Sequence, residues 1–141
     1  MGYLYTILQF VGLGLIFFTP PFLPQSIYGQ VVLILSVVLG TWSILVFRHT
    51  RINIFPYLRN GANLIRRGPY KYVRHPMYSS VLMYALAYFI DNPNWVYAAY
   101  FFGLTGVILL KMQFEEKQLI SRFENYETEF FSTYRIIPCI Y

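Results

Sequence analysis

At 141 residues the chain is one domain in length, yet 57% of it is hydrophobic, 21% aromatic and only 12% charged. A soluble domain carries about 25% charged residues, so this chain has too little polar surface to cover a water-soluble fold. It reads as an integral membrane protein, so its net charge of +5, which would suggest nucleic acid in a soluble protein, is explained by anionic headgroups.

Four apolar runs follow in chain order. The first, 3–19, is preceded by no Lys or Arg and followed by no small-residue cleavage site, so it reads as a retained membrane segment closed by Pro20, Pro21 and Pro24. The second, 27–47, has 21 residues, enough to cross a hydrocarbon core of about 30 Å. The third and fourth, 77–90 and 95–110, are joined by the turn Asp91-Asn92-Pro93-Asn94. They reach only about 21 and 24 Å at ~1.5 Å per residue, so they are short or tilted spans, or continue into the headgroups. In 111–137, Phe114, Leu119, Ile120 and Phe123 recur at helical spacing, with Glu115, Glu116, Lys117 and Arg122 on other faces. That pattern predicts an amphipathic helix leaving the membrane, with Tyr126, Phe130, Phe131 and Tyr134 along the interface.

Seven of the eleven Lys and Arg lie between Arg48 and Met77, with no acid among them, and the other four (Lys111, Lys117, Arg122, Arg135) all follow the fourth run. The connections 20–26 and 91–94 carry none. The positive-inside rule predicts four spans with both termini and the 48–76 loop in the cytoplasm. The expected fold is therefore a single all-α multi-pass membrane domain, 1–141, with a cytoplasmic cap built on the loop and the terminal helix. Headgroup anchoring is a sufficient role for Arg48, Arg51 and Arg59. The single cysteine, Cys139, permits no internal disulfide and stands third from the end, where a prenylation box needs it fourth.

The stretch 66–80, RRGPYKYVRHPMYSS, gathers four cations, a histidine, three tyrosines and two prolines. Pro76 suits the first turn of a helix, which puts Arg74 and His75 at a helix start, where free amides and the dipole attract an anion. Tyr70, Tyr72 and Tyr78 add flat faces and hydroxyls, and Gly68-Pro69 makes a turn able to bring backbone close to a ligand. The combination describes a pocket at the cytoplasmic surface for a molecule with an anionic group and a planar or cationic part. The bland alternatives are headgroup anchoring for Arg74 and His75, an aromatic belt for the tyrosines, and a solvated helix face for Glu115 and Glu116. His49 has no companion and reads as interfacial. No metal-ligand cluster, Ser/His/Asp set, phosphate loop or dinucleotide glycine motif is present.

GPYKYVRHPMY (68–78), followed after two short spans by Glu115-Glu116 and then by Leu119, Phe123, Tyr126 and the terminal RIIP (135–138), resembles the isoprenylcysteine carboxyl methyltransferase family, which shares its core with the phospholipid methyltransferases. The resemblance covers about residues 60–138. It implies S-adenosylmethionine as cofactor, bound on the cytosolic side by Tyr70, His75, Pro76, Met77, Tyr78, Glu115 and Glu116, with Ala62, Asn63, Leu64 and Ile65 closing over it. Lys111 stands where the family has a substrate-contacting arginine, which keeps the charge and loses the bidentate fork; Arg74 is the second substrate-side candidate. The terminal signature departs from the family pattern, with Phe123-Glu124 in place of Phe-Gly and only Arg135 and Pro138 kept at the end.

The implied acceptor is a lipidated or amphiphilic molecule that stays in the bilayer while the polar donor arrives from the cytosol. A carboxylate acceptor is ionised at neutral pH, whereas a lipid amine must first lose a proton. The sequence contains no dedicated base beside His75 and the glutamates, so catalytic residues are unassigned and carboxyl methylation is favoured over phospholipid N-methylation. Two other readings stand beside the enzyme: a sterol-type reductase using a nicotinamide cofactor, and a non-catalytic module whose basic loop binds anionic lipid. The compact length favours a prokaryotic cytoplasmic membrane. No nucleic-acid partner is expected, and the sequence leaves the oligomeric state open.

Overall fold

The computed structural model describes residues 2–48, 67–122 and 133–136. Within them the chain is all-helical: α1 (Gly2–Phe18), α2 (Ile27–Phe47), a 3-10 turn (Gly68–Lys71), α3 (Pro76–Asp91) and α4 (Trp95–Arg122). The first three apolar runs match helices to within one residue at each end. The fourth does not: α4 runs unbroken for 28 residues, about 42 Å, so the end of the fourth run and the start of the expected 111–137 helix are one element. That expected helix is also wrong at its far end, because Val73 pairs with Tyr134 in a parallel β-bridge, which takes 133–136 out of helical geometry.

α2 and α4 are long and apolar enough to cross a membrane, and α1 is a shorter apolar helix. On α1, Leu4, Ile7, Phe10, Val11, Leu15 and Phe18 are all exposed, as are Val31, Ile34, Leu35, Val38, Trp42 and Leu45 on α2. A helix apolar on its outer face as well as its inner one has no water-compatible side, which is the pattern of a membrane protein.

The helices alternate in direction. Ser36 of α2 donates to the carbonyl of Ser80 in α3 at 2.9 Å while Gly29 lies by Ala87 and Asp91. Between α3 and α4, Tyr88 stacks near Tyr97 and Phe89 on Phe101, with centroids 6.2 and 5.7 Å apart. On α1, Tyr5 meets Phe114 and Gln9 meets Lys111. The core between them holds Ile16, Ala85, Ala87, Tyr88, Leu104, Ile108 and Met112. α2 packs along α3, α3 along α4 and α4 along α1. The starts of α1 and α3 and the ends of α2 and α4 therefore share one end of the bundle.

At the opposite end, Asp91 closes the connection between α1 and α2. Its two carboxylate oxygens accept from the amides of Ser26 (2.6 Å) and Gln25 (3.0 Å), at the N-terminus of α2. Tyr88 and Tyr97 hold the same connection by donating to the carbonyls of Phe22, Thr19 and Pro20. Desolvation pushes the Asp91 carboxyl up, but the Ser26 and Gln25 amides and the Asn92 side chain more than offset it, so it sits below the ordinary aspartate range. A depressed folded value means that Asp91 contributes stability above its unfolded pKa and loses it as pH falls through the folded one. Asp91→Asn, which keeps one acceptor oxygen and loses the other, should lower stability by about 1 kcal/mol at pH 7, the net worth of one hydrogen bond. The gap in thermal midpoint in detergent should begin to narrow below about pH 4, the unfolded aspartate value, and close only below the lower folded one; a gap that stays constant down to strong acid would deny the carboxylate this role.

Candidate active site at the start of α3

The 66–80 stretch is shaped by backbone constraints first. Gly68 adopts φ +57°, and a Cβ there would stand 2.9 Å from Val46 Cγ2 and 3.1 Å from Trp42 Nε1. The left-handed conformation and the absent side chain are both needed. The turn at Gly68-Pro69 thus packs closely against α2. Pro69 and Tyr70 are buried, Tyr72 is 61% exposed, and burial pushes the Tyr70 phenol up in pKa, keeping it a neutral hydroxyl. Pro76 takes the first helical position of α3 with His75 as N-cap, as its sequence predicts. The amides of Tyr78 and Ser79 both turn back to the His75 carbonyl, at 3.0 and 3.1 Å. The helix start therefore has fewer open amides for an anion than the sequence suggests.

Around this start, α3 and α4 bring together most of the singled-out side chains. His75 stacks on Tyr78 with centroids 5.4 Å apart, and the Tyr78 hydroxyl donates to Glu115 Oε2 at 2.7 Å. Lys111, one turn before Glu115, is buried; its ammonium lies 5.2 Å from the Tyr78 ring centroid and donates to Gln9 Oε1 at 2.9 Å. Glu116, on the next face of α4, approaches Arg135 Nε at 3.0 Å, His75 Nε2 at 3.4 Å and Arg74 Nη1 at 3.7 Å. The His75 contact is an ion pair only when the imidazole is protonated. Arg74 also donates from Nε to Thr133 Oγ1 at 3.1 Å.

Tyr70, Arg74, His75, Pro76, Met77, Tyr78, Lys111, Glu115 and Glu116 thus lie on the turn before α3, its first turn and the facing part of α4. Tyr72 points away from this cluster's buried side. Ala62, Asn63, Leu64 and Ile65 lie outside the described residues. Sequence reasoning missed Gln9, which anchors Lys111 from α1, and the 133–136 segment that backs the site. A lone amide in the middle of an apolar run was a legible signal, since a polar side chain in a membrane helix turns inward to a partner. The terminal RIIP signature marked this region, but nothing local showed that 133–136 pairs with 72–75.

The donor set fits the chemistry of S-adenosylmethionine: a carboxylate (Glu115) for an ammonium or ribose hydroxyls, phenols and an imidazole for a ring, and cations for a carboxylate. On the lipid-facing side, an apolar groove of about 520 Å³ opens between α1 and α2, floored by α3, and is lined by Leu13, Gly14, Ser36, Gly40, Ser80 and Tyr84 among others. It starts two residues along α3 from Tyr78.

A family profile described as phospholipid methyltransferase matches residues 24–126. The chain belongs to the phospholipid methyltransferase family. The family expectation carried by GPYKYVRHPMY and Glu115-Glu116 is borne out, since this family is that of the isoprenylcysteine and phospholipid methyltransferases. Membership implies methyltransferase activity, and with the apolar helices it fits a membrane protein. The match spans α2, α3, α4 and the whole His75–Glu115 cluster, and leaves out α1 with Gln9 and the segment with Arg135. Neither curated proteins nor solved structures give a significant match.

Proposed function

We propose that this family member uses S-adenosylmethionine to methylate an amphiphilic acceptor at the inner surface of a membrane, and that the acceptor is a carboxylate. The observation that carries the reading is the Tyr78–Glu115 pair, a half-buried carboxylate held at 2.7 Å beside His75, at the bundle end where the cations gather. Positive residues favour the cytoplasmic side, which supports four spans with both termini inside and suits a polar donor arriving from the cytosol. The apolar groove beside α3 supports an acceptor whose hydrocarbon part remains in the bilayer.

In this arrangement Glu115 and Tyr78 bind and orient the donor, His75 and Tyr70 flank it, and Lys111 serves the acceptor's negative charge, while Arg74 is turned to Glu116 and Thr133. S-adenosylmethionine, when bound, supplies an electrophilic methyl group and takes back the electron pair of its carbon–sulfur bond, so an ionised carboxylate gives up no proton. Of the groups able to act as bases, Glu115 holds the Tyr78 hydroxyl and His75 Nε2 lies buried 3.4 Å from Glu116, which favours an acceptor that needs none. Catalysis then rests on alignment.

Phospholipid N-methylation is the second reading, favoured by the description of the matching family. The test is methyl transfer from labelled S-adenosylmethionine to a prenylated cysteine or to phosphatidylethanolamine, each in micelles with the purified protein. Methyl esters release their label as methanol in base and N-methyl groups do not. Base-labile label on the prenylated cysteine is expected; base-stable label on the phospholipid would replace carboxyl by amine methylation. No transfer and no donor binding by folded protein would overturn both.

A further inference from the structure

The two adjacent acids do not share one environment. Consecutive helical residues point about 100° apart, and here that rotation separates two tasks. Glu115 turns to Tyr78 on α3. Glu116 turns to Arg74, His75 and Arg135, with its side chain only 7% exposed. A carboxylate offers about four lone-pair sites, and those of Glu116 look onto three groups of cationic type. An ammonium arriving there would meet like charge.

Those partners come from two segments remote in sequence. Val73 and Tyr134 form a parallel bridge, Arg74 and His75 donate their amides to the carbonyls of Tyr134 (2.7 Å) and Arg135 (3.0 Å), and Tyr134 returns one to Tyr72 (3.2 Å). Ser79 Oγ donates to the Ile136 carbonyl at 2.6 Å, and Ile136 is buried. So short a two-stranded pairing is marginal by itself. Glu116 reaches both strands, Arg74 and His75 on one and Arg135 on the other.

We infer that Glu116 is a positioning residue, which latches 133–136 onto 72–75 and so sets the place of His75 and the start of α3, while Glu115 is the ligand's carboxylate. The positioning role rests on the contacts above; its consequence for methyl transfer rests on the proposed function.

The experiment is hydrogen exchange on the ligand-free protein in micelles, following the peptides that contain residues 72–75 and 133–136. Without ligand, its result is independent of whether S-adenosylmethionine is the donor. Glu116→Gln and Arg135→Gln should each speed exchange in both peptides about tenfold or more. The double variant should add little, because both substitutions break one contact. Arg135→Lys, which keeps the charge opposite Glu116, should restore most of the protection, whereas loss of mere bulk would not be rescued. Protection in α1 and α2 should stay unchanged. Should Glu116→Gln not fold, Arg135→Gln decides alone, since Arg135 is 42% exposed. Wild-type exchange at both peptides in Arg135→Gln, or additive effects in the double variant, would overturn the latch.

Discussion

Glu115→Ala should abolish measurable binding of S-adenosylmethionine and S-adenosylhomocysteine while the helices remain formed. Glu115 accepts the Tyr78 hydroxyl at 2.7 Å and, among the described residues, is the acid of the pair not paired to an arginine, since Glu116 faces Arg74 and Arg135. Hydrogen bonds to a charged group are worth about 1.5–3 kcal/mol each. Losing one or two to the donor weakens binding by about 10- to 10,000-fold, at ~1.4 kcal/mol per decade. Tyr78→Phe, which keeps the ring and removes one orienting bond to the carboxylate, should cost about tenfold. Calorimetry on detergent-purified protein reads both. A Glu115→Ala variant binding within about threefold of wild type would remove Glu115 from the donor site and the main support for the proposed function.

Gly29→Leu should be the most destabilising single substitution in the membrane part of the chain. A Cβ at Gly29 would lie 2.8 Å from Pro24 Cβ, 3.1 Å from the Ala87 carbonyl oxygen and 3.2 Å from Asp91 Cβ. Two of these neighbours are rigid, a proline ring and a helix backbone, so the new atoms force α2 away from α3. Overpacking costs about 1–3 kcal/mol, and the shift also pulls Asp91 from the amides of Gln25 and Ser26; a loss near 3–4 kcal/mol is expected. Gly29→Ala should cost less, because it adds the Cβ alone while still gaining up to about 1 kcal/mol of helix propensity over glycine. Unfolding in mixed micelles measures both. A leucine variant as stable as wild type would mean that α2 and α3 do not approach closely at this point.

Helix extents were legible wherever an apolar run was bounded by chain-breaking residues. Pro20, Pro21 and Pro24 end α1, Pro76 starts α3, and Asp91–Asn94 separates α3 from α4. The boundary at 110–111 was not, because it was drawn from a change in polarity. A helix does not stop where its surroundings change if every backbone bond can continue, and α4 continues to Arg122. The amphipathic pattern likewise extends helix into 133–136, where the amides of Arg74 and His75 offer the backbone a different partner.

The amino-acid order by itself determined the membrane character, the alternation of basic and uncharged connections, the helix start at His75-Pro76 and the family signature. Each follows from composition or from contacts within a few residues. Only the tertiary structure decided how the candidate site is shared out: Glu115 to Tyr78, Glu116 to Arg135, Lys111 to Gln9 102 positions away, and Gly68 to Trp42. Those partners are set by which helix faces meet. A 100° turn between adjacent residues on α4 separates roles that the sequence writes as a single acidic pair.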